Sequence, residues 1–414
     1  IEAWTSYEQQ RLQGTVLIYH EETEPREHRY TYRDLGMSAD ISQLLHDLKM
    51  FHNNEGWEKW KIRWDLRNRD YDVNWNVPLM KMSEAVAKTW HLIESQEPQN
   101  ARREITKQDE VRYHEGSSVN RIDFSRLQAE LVQHVKEAAT YNVQLPLKRV
   151  PPKITLENLK SQGIERKINE FTTYFRQSGA GRVHNIQSAA HTVNDHILAP
   201  GEIFDYGEIV KITEKDFGFK PAPVIINGRL VQGVGGGICQ VSTTLYNAAL
   251  RSGLEIVERR NHSVPVKYVP LGQDATFASG HINFRFRNTL DSFLLIRTET
   301  SDQHITVKFF GSQNRDLQYR VQSERTEHLP SPIRYIANPN LKPGERVVLK
   351  KGRDGFVIRT TRIHLQKGKT VQEEEISKDR YAPTPTVISV RNPPKDHLYR
   401  PKTNNGNIVE DGIQ

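Results

Sequence analysis

Three residue types that together can do acyl chemistry lie in order within residues 228–276. The stretch GRLVQGVGGGICQVSTTLYNAALRSG, residues 228–253, sets Gly235-Gly236-Gly237 directly before Cys239, the one cysteine in the chain. Val241, Leu245 and Ala249 then recur at helical spacing, and Gly253 is a natural stop, so Cys239 is expected in the first turn of a helix. Free N–H groups and the dipole at a helix start favour a thiolate, and neighbouring N–H groups can hold an oxyanion. Downstream come His262 and Asp274, the order required for a nucleophile, its base and the group that orients the base. The opposing expectation is a buried, inert cysteine, with the glycines serving only close backbone approach. A phosphate-cradling loop would need Lys-Ser/Thr where Cys239-Gln240 stands, so a nucleotide site is not expected.

Around this trio, Gly235, Gly236, Gly237, Gln240, Ser242 and Thr243 are candidates to line a substrate pocket. Arg182 and Asn185, ahead of an expected helix from Ile186 to about Ile197, could bind a carboxylate or sugar, or could cap local backbone. Arg259 could hold a substrate carboxylate or pair with a nearby acid. Tyr268 is a substrate-side candidate, but a packed aromatic with its hydroxyl satisfied is the preferred expectation. His184 and His191 are seven apart without a carboxylate or cysteine at ligand spacing, so neither a metal site nor a cofactor is expected.

The elements that must position these groups come from a chain of 414 residues, long enough for two to four domains at about 100–200 residues each. With 36% apolar and 26% charged residues, the composition is that of folded rather than disordered protein. No run approaches the roughly 18 apolar residues of a membrane span, so a membrane link is expected only through an N-terminal anchor outside this sequence. A single cysteine rules out an intrachain disulfide. Net charge is −2 over residues 1–160, +2 over 161–312 and +7 over 313–414. That bias suits an anionic partner, but no basic run carries interleaved aromatics, so nucleic acid is not expected.

All six tryptophans (Trp4, Trp57, Trp60, Trp64, Trp75, Trp90) fall in the first 90 residues. Trp57, Trp60 and Trp64 share a helical face, which predicts a buried aromatic stripe in preference to a sugar-stacking platform. Strands are expected at 14–19 and around Tyr30–Tyr32. Helices are expected from about Ala39, with Ile41, Leu44, Leu45 and Leu48 on one face, and from Asp123, with Leu127, Leu131 and Val135. Pro146 and Pro151-Pro152 mark a boundary between about 140 and 160, and Leu329-Pro330-Ser331-Pro332 a second.

On these motifs the segment 170–311 resembles the VanW-like domain of bacterial envelope proteins. The resemblance is carried by Phe171–Phe175, Arg182–Ile186, Leu198–Phe204, GGGICQVSTTLYNA, Glu258-Arg259 with His262-Ser263, Tyr268–Thr276 and Phe284–Asn288. Two positions depart from the family pattern. Asp205-Tyr206-Gly207 replaces Ser-Phe-Asn, and Asn283 stands where an Asp is usual. Thr31–Met37 and Gly116–Asp123 resemble a domain, proposed to bind peptidoglycan, that precedes VanW-like and some L,D-transpeptidase domains. From about Ser331 the chain is similar to the five-glycine module of cell-surface proteins, with Gly344, Gly352, Gly355 and Gly368 matching and Arg391 in the fifth place. Strands are expected there at 346–350 and 355–361.

The expected architecture is therefore α+β and multidomain: a peptidoglycan-binding-like domain at 1–150, a VanW-like domain at 160–315, a β-rich five-glycine module at 325–392, and a polar tail at 393–414, extended or poorly ordered. The resemblance implies an extracytoplasmic, wall-associated protein with peptidoglycan or an anionic wall polymer as partner. A thiol-dependent transpeptidase or amidase using Cys239, His262 and Asp274 is the alternative. Oligomeric state is not legible.

Overall fold

The structure, a computed structural model, describes residues 9–69, 74–137, 140–226, 229–394 and 409–413; Trp4 and most of the 393–414 segment lie outside them. The chain is α+β and divides into two units: residues 1–102 with 113–159, and residues 103–112 with 160–414.

In the first unit, β1 (Thr15–Tyr19) pairs antiparallel with β2 (Glu27–Thr31) and parallel with β3 (Thr140–Gln144). Alternation along β1 places Val16 and Ile18 inward, both fully buried. The helices between β2 and β3 include α1 (Ser42–Asn53), α2 (Gly56–Asn68) and α3 (Phe124–Glu137). Asp123 starts α3 as expected, its Oδ1 accepting from the Arg126 N–H at 3.1 Å, and Leu127, Leu131 and Val135 are fully buried at i, i+4, i+8.

The other two helices correct the sequence reading. Helix α1 begins at Ser42, since Ala39 lies in a short strand, Ser38–Asp40, and neither α1 nor α2 buries a residue. Trp57, Trp60 and Trp64 are 74%, 53% and 58% exposed and stack on one another at 5.4 and 5.9 Å between ring centroids. The stripe expected to be buried is thus an exposed ladder satisfied by its own stacking. The core takes Trp75 and Trp90 instead, and Trp90 donates its indole N–H to the Pro25 carbonyl at 2.8 Å.

The second unit is built on a four-stranded antiparallel sheet. Its order is β4 (Arg166–Tyr174), β7 (His304–Gly311), β6 (Leu294–Thr300) and β5 (His196–Leu198). Against it lie α4 (Ala180–Val193) and α5 (Ile238–Arg251). Every residue of α5 from Ile238 to Leu250 is buried, so it is a central helix and not the one-sided helix its Val241–Leu245–Ala249 stripe suggests. Most of its polar positions are tolerated because they are bonded, Thr244 to Gln240 O at 2.6 Å and Asn247 to Gln273 O at 2.7 Å, whereas the Tyr246 hydroxyl is buried without a partner. Helix α4 starts six residues earlier than expected, which places Arg182 and Asn185 within it.

Residues 317–390 form two three-stranded sheets. One orders Leu317–Leu329, Gly355–Gln366 and Lys369–Tyr381; the other orders Ile333–Ala337, Thr386–Val390 and Arg346–Lys350. Both strands expected here are present, the second continuing to Gln366. A final short strand, Val409–Glu410, pairs with Ile225 and Ile226 of the strand Pro221–Ile226. Within the segment expected to be extended or poorly ordered, residues 409–410 are thus a paired strand, and Gly412 and Ile413 form single bridges.

Candidate functional site

The site is assembled where the triple glycine becomes α5. Each glycine has a separate steric reason. Gly235 and Gly237 have φ of +87° and +113°, which side chains rarely adopt. A Cβ on Gly236 would lie 2.4 Å from the Pro223 carbonyl oxygen. The tight path is clamped from α4, where Asn185 Nδ2 donates to Lys220 O at 2.9 Å and Gly236 O at 3.0 Å while Asn185 Oδ1 accepts from Lys220 N at 2.8 Å. Asn185 is thus a backbone tether.

Cys239 occupies the first turn of α5, as expected, but is fully buried. Its Sγ accepts from Phe277 N at 3.0 Å and donates to Phe277 O at 3.3 Å. The N–H groups of Gly237 and Cys239 both point at one oxygen, Asp411 Oδ1, at 3.0 and 2.8 Å. Arg182 Nη1 donates to the other oxygen of Asp411 at 3.1 Å, and its Nη2 to Gln240 Oε1 at 2.9 Å. Burial first, and the Asp411 charge second, push the Cys239 thiol well above its ordinary value. This reverses the expectation of an activated thiolate: desolvation outweighs the helix dipole, and the dipole is already met by a carboxylate.

His262 and Asp274 do come together. Asp274 Oδ2 accepts from both the His262 backbone N–H and Nδ1, each at 2.7 Å. Burial alone would raise the Asp274 carboxyl, yet the His262 hydrogen bonds and the Arg259 guanidinium hold it down at about 2. With Nδ1 committed to Asp274, His262 Nε2 is buried without a partner, so the imidazole does not reach the Cys239 sulfur in this arrangement. The His262–Asp274 pair and the Cys239 thiol are both present, but no hydrogen bond joins them.

The remaining candidates divide. Ser242 and Thr243 bond the Ala275 carbonyl at 2.8 and 3.2 Å and fasten the Asp274 loop to α5. Arg259 is buried between Asp379, at 2.6 Å, and Asp274, at 3.5 Å, so its charge is spent within the fold. Tyr268 has a buried hydroxyl with no hydrogen bond of good geometry, and burial followed by the Asp411 and Cys239 charges pushes it well above its ordinary value. Asp205 and Asn283, the two departures from the family pattern, bond each other at 2.7 Å while Asp205 caps the helix Tyr206–Phe217. Among the described residues no three His, Cys, Asp or Glu side chains are grouped to hold a metal ion.

Three residues here escape a reading of local motifs. Tyr381 donates its hydroxyl to Asp274 Oδ1 and accepts from Gly272 N, Asp379 pairs with Arg259, and Asp411 fills the start of α5. All lie more than a hundred positions from their partners, where no spacing rule operates.

Two segments of the chain match known protein families. The family model "VanW like protein" matches residues 181–310 and the G5 domain model matches residues 320–390. The chain carries a VanW-like domain followed by a G5 domain. The site lies in the VanW-like domain, and Asp379 and Tyr381 reach it from the G5 domain. The "Uncharacterized protein YoaR" of Bacillus subtilis (strain 168) is 35% identical over 191 residues, covering 46% of this chain and 63% of that protein. The "Vancomycin B-type resistance protein VanW" of Enterococcus faecalis is 29% identical over 153 residues, covering 36% and 56%. The chain thus matches less than two thirds of the length of these curated relatives. Among solved structures, "IgA1 Protease G5 domain structure" is 28% identical, covers 19% of this chain and 94% of its own, and has a TM-score of 0.16. Among the described residues no helix is long and apolar enough to cross a membrane.

Proposed function

We propose that this chain belongs to the bacterial cell envelope, outside the cytoplasm, and binds peptidoglycan or a related anionic wall polymer. The observation that carries this reading is a VanW-like domain and a G5 domain in one chain, with a net charge of +7 confined to residues 313–414. Cosedimentation with purified cell walls tests it. Binding at low salt that weakens steeply as salt rises is the expected result; a folded protein that stays in the supernatant at low salt rejects it.

A second reading, thiol-dependent acyl transfer on wall peptides, is favoured by one feature: the buried, unpartnered Nε2 of a histidine already oriented by Asp274. Such a nitrogen in a native interior calls for a role. In this reaction the Cys239 thiol adds to a peptide carbonyl and its proton passes to His262. The departing amine takes that proton as the C–N bond breaks, leaving a thioester, which an incoming amine or water resolves to restore the thiol. The Gly237 and Cys239 N–H groups become the oxyanion donors once the substrate displaces Asp411 Oδ1, which they bond here. The sulfur must first exchange the Phe277 backbone for His262. Mass spectrometry of the chain incubated with wall peptides tests this: an adduct on Cys239 that disappears in Cys239→Ala supports it, and an unmodified protein with intact wall binding leaves only the first reading.

A further inference from the structure

The oxygen that fills the donor pair at the start of α5 comes from a segment laid into a groove. Val409 and Glu410 add antiparallel to Ile226 and Ile225, and further along Ile413 N donates to Val234 O at 3.0 Å. Successive residues have different receptors. Glu410 Oε2 accepts from Ser263 N at 3.0 Å and from Ser263 Oγ at 2.9 Å. Asp411, 6% exposed and with φ of +62°, presents one oxygen to the Gly237 and Cys239 N–H groups and the other to Arg182. At Gly412 a Cβ would stand 2.6 Å from Val224 Cγ1 and 2.7 Å from the Val234 carbonyl, so nothing larger than glycine fits.

This is the layout of a peptide-recognition site: strand addition supplies affinity through the main chain, and pockets read alternate features. A helix start flanked by an arginine is a carboxylate receptor on two counts, dipole and charge-assisted hydrogen bonding. The Tyr268 hydroxyl, buried and without a well-formed hydrogen bond, lies within the field of the same carboxylate. We propose that the groove formed by the Pro221–Ile226 edge, Arg182, Ser263 and the start of α5 is a binding site for an extended acidic peptide. The ligand it takes bears a carboxylate followed by a residue without a side chain, and Val409–Ile413 occupies it as an intramolecular ligand. The inference rests on the acyl-transfer reading only in sharing the Gly237–Cys239 donors, and it stands if no bond is made or broken there.

A tethered occupant competes at high effective concentration, so an added peptide binds the wild-type chain weakly and a chain with a disabled occupant strongly. The test uses the full chain and a fluorescein-labelled peptide, NIVEDGIQ, read by anisotropy. Asp411→Ala removes the anchoring carboxylate and disfavours the positive φ. The expected result is at least tenfold tighter peptide binding to Asp411→Ala than to wild type, and at least tenfold weaker binding of the peptide NIVEAGIQ. Iodoacetamide labelling of Cys239 should rise in Asp411→Ala and fall again on addition of NIVEDGIQ. Equal binding by the two chains, or by the two peptides, overturns the proposal. Glu410→Gln leaves the start of α5 intact and gives a smaller shift in the same direction; if Asp411→Ala fails to fold, Glu410→Gln carries the comparison, and no gain over wild type overturns the proposal. Neither readout depends on turnover, so loss of peptide recognition and loss of acyl transfer are separate results.

Discussion

At the scale of single residues, the decisive effect is desolvation. Cys239 has the position of an activated thiol and the environment of an inert one, because losing water costs a thiolate more than one helix start returns. Wild-type Cys239 is accordingly expected to react with iodoacetamide at pH 8 far more slowly than a free cysteine in the same tube. Asp274 shows the opposite balance, its buried charge held by His262 and Arg259. Asp274→Asn breaks a buried charged cluster and is expected to cost about 3–5 kcal/mol, read from denaturant unfolding. The carboxyl titrates near 3.8 in the unfolded chain and at about 2 in the folded one. Its stabilising contribution is therefore complete above pH 4 and lost progressively as pH falls toward 2. Melting temperatures measured across that interval should drop more steeply in wild type than in Asp274→Asn.

At the scale of elements, the loop before α5 and the helix α2 make opposite predictions from similar-looking sequence features. Glycine at 237 is imposed by φ of +113° and by Arg182 and Ile186 atoms 3.0 Å from any added Cβ. Gly237→Ala should destabilise by about 1–3 kcal/mol and disturb the Asp411 contacts, visible as faster Cys239 labelling. The tryptophans of α2 lie on a helix that buries nothing, so Trp60→Ala should leave stability within about 0.5 kcal/mol of wild type. Trp90→Ala, in the core of the same unit, should cost about 3–5 kcal/mol. Equal effects of the two substitutions in a thermal melt would contradict this division.

At the scale of the whole molecule, the G5 domain is part of the candidate site. Tyr381 bridges Asp274 and Gly272, Asp379 pairs with Arg259, and Arg362 donates to the Leu254 carbonyl at 2.7 Å. Tyr381→Phe leaves the buried Gly272 N–H without its acceptor and should cost about 1–3 kcal/mol. Because the loss falls on the VanW-like side, labelling of Cys239 should accelerate although the substitution lies in the other domain. Unchanged labelling would mean that the G5 strands pack beside the site without supporting it.

Much of this was legible beforehand because it is local. The α+β class, the helix after the triple glycine, the Asp123 cap with its Leu127–Leu131–Val135 face, and the strands 346–350 and 355 onward all follow from periodicity and punctuation over a few residues. The motif residues of the VanW-like segment likewise include His262 and Asp274 within twelve positions of each other, so their proximity could be anticipated. Burial could not. Whether Trp57, Trp60 and Trp64 face water, whether Cys239 is sealed, and whether Arg259 is free for a ligand depend on what other segments cover them. Covering is a property of contacts between residues tens to hundreds of positions apart. Asp411 is the clearest case: in the sequence it is one acid in a polar stretch, and only the closed chain places it on the N–H groups of Gly237 and Cys239.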